Sequence, residues 1–153
     1  MTPARTTAWA TLVALATVVA DQIVKAIVRG SIGRGEQVDV LPGVHLVHVR
    51  NTGVAFSVLS NGGVVPVIIG VVAVGALLWF FFTHLRRPLV WLPTGMLLGG
   101  AAGNLIDRLR DGSVTDFIKL PHWPAFNVAD IAITLGVVLL VYVLEGPPRR
   151  AEK

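Results

Sequence analysis

The sequence predicts an all-α integral membrane protein with four transmembrane helices and a small β-sheet at one membrane face. Hydrophobic residues make up 54% of the 153 residues, and only 14% are charged. Soluble domains carry about 25% charged residues, so a soluble fold is excluded. A helix needs about 20 apolar residues to cross the roughly 30 Å hydrocarbon core. Such runs occupy residues 8–28, 64–82, 88–106 and 127–144.

The first span is predicted to remain in the protein as a transmembrane helix. Its apolar stretch exceeds the roughly 7–15 residues of a signal-peptide core, no Ala-x-Ala pattern follows it, and three further spans come after it. Asp21 and Lys25 lie near its end. Residues four apart face each other on a helix, so the simplest interpretation is an ion pair whose Lys25 ammonium snorkels outward.

Basic residues in the loops predict the orientation. With both termini in the cytoplasm, the short inner segments hold six basic residues, and the outer segments hold seven over more than twice the length. The positive-inside rule favours this arrangement. The loop of about 29–63, together with Asp107, Asp116 and Asp130, then lies on the outer side.

The outer loop contains a strand-turn-strand pattern. Val38 and Val40 alternate with polar residues, Leu41-Pro42-Gly43 is a turn signal, and alternation resumes after it. We therefore expect a small sheet on the outer membrane surface. The SNGG segment at 60–63 is expected to form a flexible entry to the second span, and the tail after Gly146 to be disordered.

Two aspartates at the ends of very apolar segments are the main functional candidates. A carboxylate at membrane depth costs roughly 2.5 kcal/mol or more, so it needs a functional explanation. Asp116 and Asp130 flank one short connection, so we expect them to meet. Paired carboxyl groups that cannot both ionise are the signature of aspartic hydrolases.

Each polar position also has a purely structural interpretation. Asn127 and Asp130 have the spacing of a helix capping box. Asp107 lies at a helix C-terminus, where the macrodipole disfavours a carboxylate. Arg108 and Arg110 are expected to compensate that charge, which makes the cluster structural.

The sequence predicts no metal or other cofactor. It contains no cysteine, and its four histidines lack metal-ligand spacing. The glycine-rich run at 99–103 lacks the lysine of a phosphate-binding loop. Its small residues instead predict a face for close helix packing. With a net charge of only +4 and basic residues at helix ends, no nucleic-acid partner is expected.

Two non-proteolytic functions remain as alternatives. A small proton-coupled transporter would use Asp107 and Asp130 as a relay, but the second span and the cytoplasmic half of the fourth contain no acid. A non-enzymatic membrane assembly subunit would pack through the glycine-rich third span. It would leave the polar cluster unexplained.

Five sequence blocks, in this order, resemble the lipoprotein signal peptidases, also called signal peptidase II. Together they extend over nearly the whole chain, which makes the resemblance specific although each block alone is weak. The blocks are Asp21-Gln22-Ile23-Val24-Lys25, Asn51-Thr52-Gly53-Val54-Ala55-Phe56-Ser57, Gly103-Asn104-Leu105-Ile106-Asp107-Arg108, Val114-Thr115-Asp116-Phe117 and Phe126-Asn127-Val128-Ala129-Asp130.

The resemblance implies a single integral-membrane peptidase domain over 1–153 in the bacterial inner membrane. Members of this family are aspartic endopeptidases that cut signal peptides from prolipoproteins just before a diacylglyceryl-modified cysteine. The implied partners are these substrates, membrane lipid and cyclic peptide inhibitors, and we expect a monomer. The outer loop is implied to form a β-cradle, with the active site at the extracytoplasmic face.

The resemblance also assigns roles to residues. The implied catalytic dyad is Asp116 and Asp130. Residues from the same blocks are expected to bind substrate or support the dyad. They are Asn51, Asn104, Arg108, Asn127, Asp21, Lys25 and Asp107.

Overall fold

The structure, a computed structural model, describes residues 1–53 and 64–145. Within them each predicted span contains a helix. The elements are α1 (Pro3–Ser31), β1 (Gln37–Leu41), β2 (Val44–Asn51), α2 (Val64–Thr83), α3 (Trp91–Asp111), β3 (Val114–Lys119) and α4 (Val128–Glu145). The Val54-to-Ser57 part of the second block, the SNGG segment and the tail after Gly146 lie outside the described residues.

Three of the helices, α1, α2 and α4, are long and apolar enough to cross a membrane. Large apolar side chains on them point outward, such as Leu15, Trp79 and Val138, which suits contact with lipid rather than water. The remaining predicted span, 88–106, forms α3, which is not among the three. Its glycines and the charges of its last two turns lower its apolar character. The chain is a multi-pass membrane protein.

Helix α3 occupies the centre and packs against α1, α2 and α4. Its glycines allow this close approach. A Cβ atom built on Gly99 would lie 2.6 Å from the carbonyl oxygen of Ala14, and one on Gly100 would lie 2.6 Å from that of Ala129. The prediction of a small-residue packing face at 99–103 is therefore confirmed.

The three strands form one antiparallel sheet in the order β1-β2-β3. The predicted hairpin of the outer loop is confirmed as β1 and β2. Its turn places Gly43 at φ 76°, a left-handed conformation that glycine adopts without steric cost. The third strand, β3, was not predicted, and it carries Asp116.

Pairing between β2 and β3 determines which side chains share a face. Val49 pairs with Asp116, and Arg50 pairs with Thr115. Directly paired residues lie on one face, and successive residues alternate. Asp116 therefore shares a face with Asn51, while Thr115 and Arg50 lie on the other face.

A small apolar cluster attaches the sheet to the helices. Val28 and Ile32 from the end of α1 pack with Phe117 of β3, and Val128 at the start of α4 joins them. Burying such side chains contributes about 1.5–3 kcal/mol each. This cluster fixes β3 beside the first turn of α4, so that a strand residue and a helix residue meet.

Candidate active site

Asp116 and Asp130 approach each other from a strand and from a helix N-terminus, and Asn127 lies between them. The Nδ2 of Asn127 donates to Asp116 Oδ1 at 2.7 Å. The backbone N–H of Asn127 donates to Asp130 Oδ2 at 3.2 Å. One residue thus holds both carboxyl groups, and the negative charge of Asp130 acts on Asp116.

Asp130 completes the predicted capping box. Asn127 Oδ1 accepts the backbone N–H of Asp130 at 2.9 Å, and Asp130 Oδ2 accepts the N–H of Asn127 in return. The structural interpretation is therefore correct but incomplete, because the other oxygen, Oδ1, accepts from Asn104 Nδ2 at 2.9 Å. Both oxygens of Asp130 are therefore hydrogen-bonded at the N-terminus of α4.

Asp116 is almost fully buried, with 2% of its surface exposed. Its Oδ2 accepts from Asn51 Nδ2 at 2.9 Å, and Asn51 Oδ1 in turn accepts the backbone N–H of Gly53. Burial raises the pKa of Asp116 to about 6. This value already includes the charge of Asp130, which also raises the pKa, and the hydrogen bonds from Asn51 and Asn127, which lower it. The environment therefore makes Asp116 easier to protonate than an ordinary aspartate.

The Asn104 side chain is oriented by two donors. Lys25 Nζ donates to Asn104 Oδ1 at 2.9 Å, and Asn127 Nδ2 donates to the same oxygen at 3.2 Å. With its oxygen occupied in this way, the amide nitrogen faces Asp130. Asn104 therefore links Lys25 to the Asp130 carboxyl group.

Lys25 is fully buried between two carboxylates. Its Nζ lies 2.8 Å from Asp21 Oδ2 and 3.1 Å from Asp107 Oδ2. The predicted pair with Asp21 is confirmed, but the prediction that Lys25 snorkels outward is wrong. Two buried carboxylates and Asn104 hold the ammonium inside, because a buried charge needs charged and hydrogen-bonding partners. Asp21 also accepts the N–H of Ala129 at 2.9 Å, which attaches α1 to α4.

The negative charge of Asp107 is compensated by basic residues of α1 and not by its neighbours in sequence. Its partners are Lys25 and, at 3.6 Å, the Arg29 guanidinium. Arg110 instead pairs with Asp111, so the expected compensation by Arg108 and Arg110 is wrong. Asp107 points into the packed interface with α1, whereas Arg110 is exposed.

Asp107 also connects α3 to β3, the strand that carries Asp116. Its Oδ2 accepts the backbone N–H of Thr115 at 3.0 Å, immediately before Asp116. Arg29 Nη1 donates to Thr115 Oγ1 at 3.2 Å. These contacts therefore fix the backbone of β3 on one side of the sheet, while the Asp116 side chain faces Asn51 and Asn127 on the other.

Two residues of this network were not singled out from the sequence. Gln22 Nε2 donates to the carbonyl of Gly103 and to Asp107 Oδ1, both at 3.1 Å. Arg29 is the second. The signal that identifies Arg29 is spacing, because Asp21, Lys25 and Arg29 are successively four apart and form one stripe on α1.

Arg108 is the one predicted site residue that stays apart from this network. It lies one turn beyond Asn104 on α3 and is partly exposed. Within residues 1–53 and 64–145, its guanidinium makes no hydrogen bond or ion pair.

An apolar pocket of about 350 Å³ opens beside Asp130. Its lining is otherwise nearly all hydrophobic, so an apolar chain in this pocket would lie beside the Asp130 carboxyl group. The lining residues besides Asp130 are Leu120, Trp123, Phe126, Ile131, Thr134 and Leu135.

The site offers acid-base chemistry on a bond held at the mouth of this pocket. A carboxylate at a helix N-terminus can take a proton from water, and a buried protonated carboxyl group can supply one. In the described part of the chain no group of three or more His, Cys, Asp or Glu residues that would hold a metal ion is found.

Comparisons with known proteins agree with this chemistry. The family model described as "Signal peptidase (SPase) II" matches residues 13–144. A lipoprotein signal peptidase of Moorella thermoacetica is 42% identical over 140 residues, covering 89% of this chain and 92% of that protein. One of Halothermothrix orenii is 37% identical over 134 residues, covering 87% and 92%.

A solved structure is also similar. It is described as a bacterial membrane enzyme determined by the in meso method at 1.9 Å resolution, with a TM-score of 0.82 and 32% identity over 88% of this chain and 91% of that one. Its fold and the family match extend over most of the chain. The chain therefore belongs to the signal peptidase II family, the membrane peptidases that remove signal peptides from prolipoproteins.

Proposed function

We propose that the chain cleaves prolipoproteins as an aspartic endopeptidase, just before the diacylglyceryl-modified cysteine, with Asp116 and Asp130 as the catalytic dyad. The observation that carries the proposal is the shared hydrogen bonding of a buried aspartate and a helix-terminal aspartate through Asn127. Mutual repulsion in such a site keeps one proton between the two carboxyl groups.

The environments of the two carboxyl groups assign their roles. Burial favours the proton on Asp116, whereas Asp130 lies at the N-terminus of α4 with an N–H group donating to each carboxyl oxygen. Asp130 then takes a proton from the attacking water. Asp116 gives its proton to the leaving nitrogen, and the pair titrates as one unit.

The surrounding residues have three roles in this proposal. The amides of Asn51, Asn104 and Asn127 orient the carboxyl groups. The buried charges of Asp21, Lys25 and Asp107 hold α1, α3 and β3 against one another. Arg108 binds a lipid headgroup or the substrate backbone, and the apolar pocket beside Asp130 receives apolar parts of the substrate.

We propose four spans, with α3 as the fourth, in a single peptidase domain over 1–153 that acts as a monomer in the bacterial inner membrane. The sheet forms the β-cradle at the extracytoplasmic face, and both termini are cytoplasmic. Support comes from α3, which is surrounded by three helices that suit a membrane. Arg86 and Arg87 lie in the short connection at the face opposite the aspartates, as the positive-inside rule requires.

Cysteine labelling in intact cells tests this orientation. A cysteine placed at Leu41, which is 63% exposed on β1, is expected to react with a membrane-impermeant thiol reagent. One at Thr83, exposed at the end of α2, is expected to react only after the cells are opened. Because the wild-type chain contains no cysteine, it serves as the unlabelled control. The opposite labelling pattern would invert the proposed topology.

A lipidated peptide tests the cleavage reaction. The purified protein is expected to cut a synthetic signal peptide before its diacylglyceryl-cysteine and to leave the matched unlipidated peptide intact, as measured by mass spectrometry. A cyclic peptide that places a hydroxyl group between Asp116 and Asp130 is expected to inhibit, because it mimics the tetrahedral intermediate. Chelators and thiol-blocking reagents are expected to have no effect. Equal cleavage of both peptides would contradict the proposal that the diacylglyceryl group is required for recognition.

The pH dependence of stability tests the state of Asp116. Its pKa is raised from 3.8 to about 6 in the folded protein, so the folded state binds this proton more tightly than the unfolded state. The contribution of protonated Asp116 to the stability of the folded state is therefore fully present below pH about 4, and it is lost as the pH rises through 6. Relative to wild type, the Tm of Asp116→Asn should therefore increase between pH 4 and 7. A pH-independent difference would contradict a raised pKa.

A further inference from the structure

Two adjoining cavities lie at the face opposite the aspartates, where the connection between α2 and α3 passes the N-terminus of α1. Their volumes are about 600 Å³ and about 190 Å³. They share the segment from Leu85 to Pro88, which includes Arg86 and Arg87. The aspartate network does not reach this face, and the proposed proteolysis makes no use of it.

The charges around these cavities are almost all positive. Arg86 and Arg87 are exposed. The helices α1 and α3 both begin here without an acidic residue in the first turn, so their macrodipoles add partial positive charge. Of the eight acidic residues in the described part of the chain, Glu145 is the one at this face, and it is exposed at the end of α4.

A buried hydrogen-bond donor belongs to a residue in the wall of the smaller cavity. Trp91 lines this cavity, and its indole Nε1 is buried with no hydrogen-bond partner in the described residues. An unmade hydrogen bond of a buried donor destabilises the folded state, so such a group is expected to have an acceptor. The ring packs on Trp9, with centroids 5.9 Å apart, which fixes its position.

Arg86, Arg87 and the indole N–H of Trp91 are hydrogen-bond donors beside these cavities, and no carboxylate of the described residues pairs with them. Arg87 Nη1 uses one bond on the carbonyl of Leu144, and Arg86 makes no ion pair within residues 1–53 and 64–145. We propose that these cavities bind the phosphate of an anionic phospholipid headgroup from the adjacent leaflet. Guanidinium groups bind phosphate oxygens through several parallel hydrogen bonds, and basic pockets between transmembrane helices hold such headgroups.

The bilayer is the source of phosphate at this position. Apolar lining residues, including Phe82, Leu85 and Pro88, border the larger cavity, and they suit the glycerol and upper acyl chains of a lipid rather than a free ion. The bound lipid would hold the α2–α3 connection against the N-terminus of α1. It would thereby stabilise the end of the bundle remote from the dyad.

Lipid titration of the purified protein in detergent, followed by native mass spectrometry, tests the proposal. Dioleoylphosphatidylglycerol is expected to bind in preference to dioleoylphosphatidylcholine. Arg86→Gln should weaken binding of the anionic lipid about fivefold, the effect of one arginine near an anionic surface. Trp91→Phe, which removes the donor and keeps the charge, should weaken it about threefold. Arg34→Gln removes the same charge from an exposed position at the other face and should change nothing.

Three results would overturn the site. Unchanged binding in both Arg86→Gln and Trp91→Phe would place the lipid elsewhere. Loss in Arg86→Gln with no effect of Trp91→Phe would reduce the contact to diffuse surface attraction. Equal competition by millimolar sodium phosphate and by the lipid would assign the cavity to a free anion. None of these results depends on peptidase activity, so the proposed function and this site can fail separately.

Discussion

Asp116→Asn and Asp130→Asn are each expected to lower cleavage of a lipidated signal peptide by about 10³-fold or more, while the protein stays folded. General acid and general base catalysis contribute about 10²–10⁴-fold each, and two groups that act as a unit are lost together. An amide cannot exchange the proton that the dyad shares. The substitution retains the size of the side chain, so Asn127 keeps a hydrogen-bond partner at both positions.

A matched variant separates loss of the dyad from loss of an acid. Asp39 is exposed on β1 at the same face and pairs with His45 at 2.6 Å. Asp39→Asn makes the identical chemical change outside the site, and its turnover should stay within about twofold of wild type, as for a surface substitution. Near-normal turnover by Asp116→Asn or Asp130→Asn, measured alongside this control, would exclude that residue from the dyad.

The sequence predicted the features that depend on hydrophobic runs and local spacing. Helices occur at all four apolar runs, the hairpin turns at Gly43, and Asn127 caps the helix of Asp130. Each is decided within a few residues, by burial of apolar side chains or by satisfaction of nearby backbone groups. The blocks around the aspartates then pointed to the family, although no single block was sufficient.

Features that depend on contacts distant in sequence were missed. Strand β3 exists because it pairs with β2, more than 60 residues earlier, and a single aspartate interrupts its apolar alternation. The inward direction of Lys25 depends on Asp107, which approaches from another helix. The i, i+4 spacing on one helix predicts that Asp21 pairs with Lys25. It does not predict whether the pair is buried, because burial depends on which other helix packs over it.

Loss of Lys25 is expected to be the most damaging change to stability. Lys25→Met retains most of the volume but leaves Asp21 and Asp107 buried without their shared cation. Removing one partner of a buried charge cluster costs about 3–5 kcal/mol. For a chain of this size we expect the Tm in detergent to fall by about 6 °C or more. A Tm within 1 or 2 °C of wild type would contradict a compensating role for Lys25.

A compensated variant distinguishes lost charge balance from lost packing. Adding Asp21→Asn and Asp107→Asn to Lys25→Met removes both uncompensated carboxylates, and most of the lost Tm should return. Turnover should not return with it, because Asn104 Oδ1 has still lost the Lys25 donor that turns its amide toward Asp130. Recovery of both would show that Lys25 acts on stability alone. Recovery of stability without turnover would show that the Asp21–Lys25–Asp107 cluster positions the dyad as well as stabilising the fold.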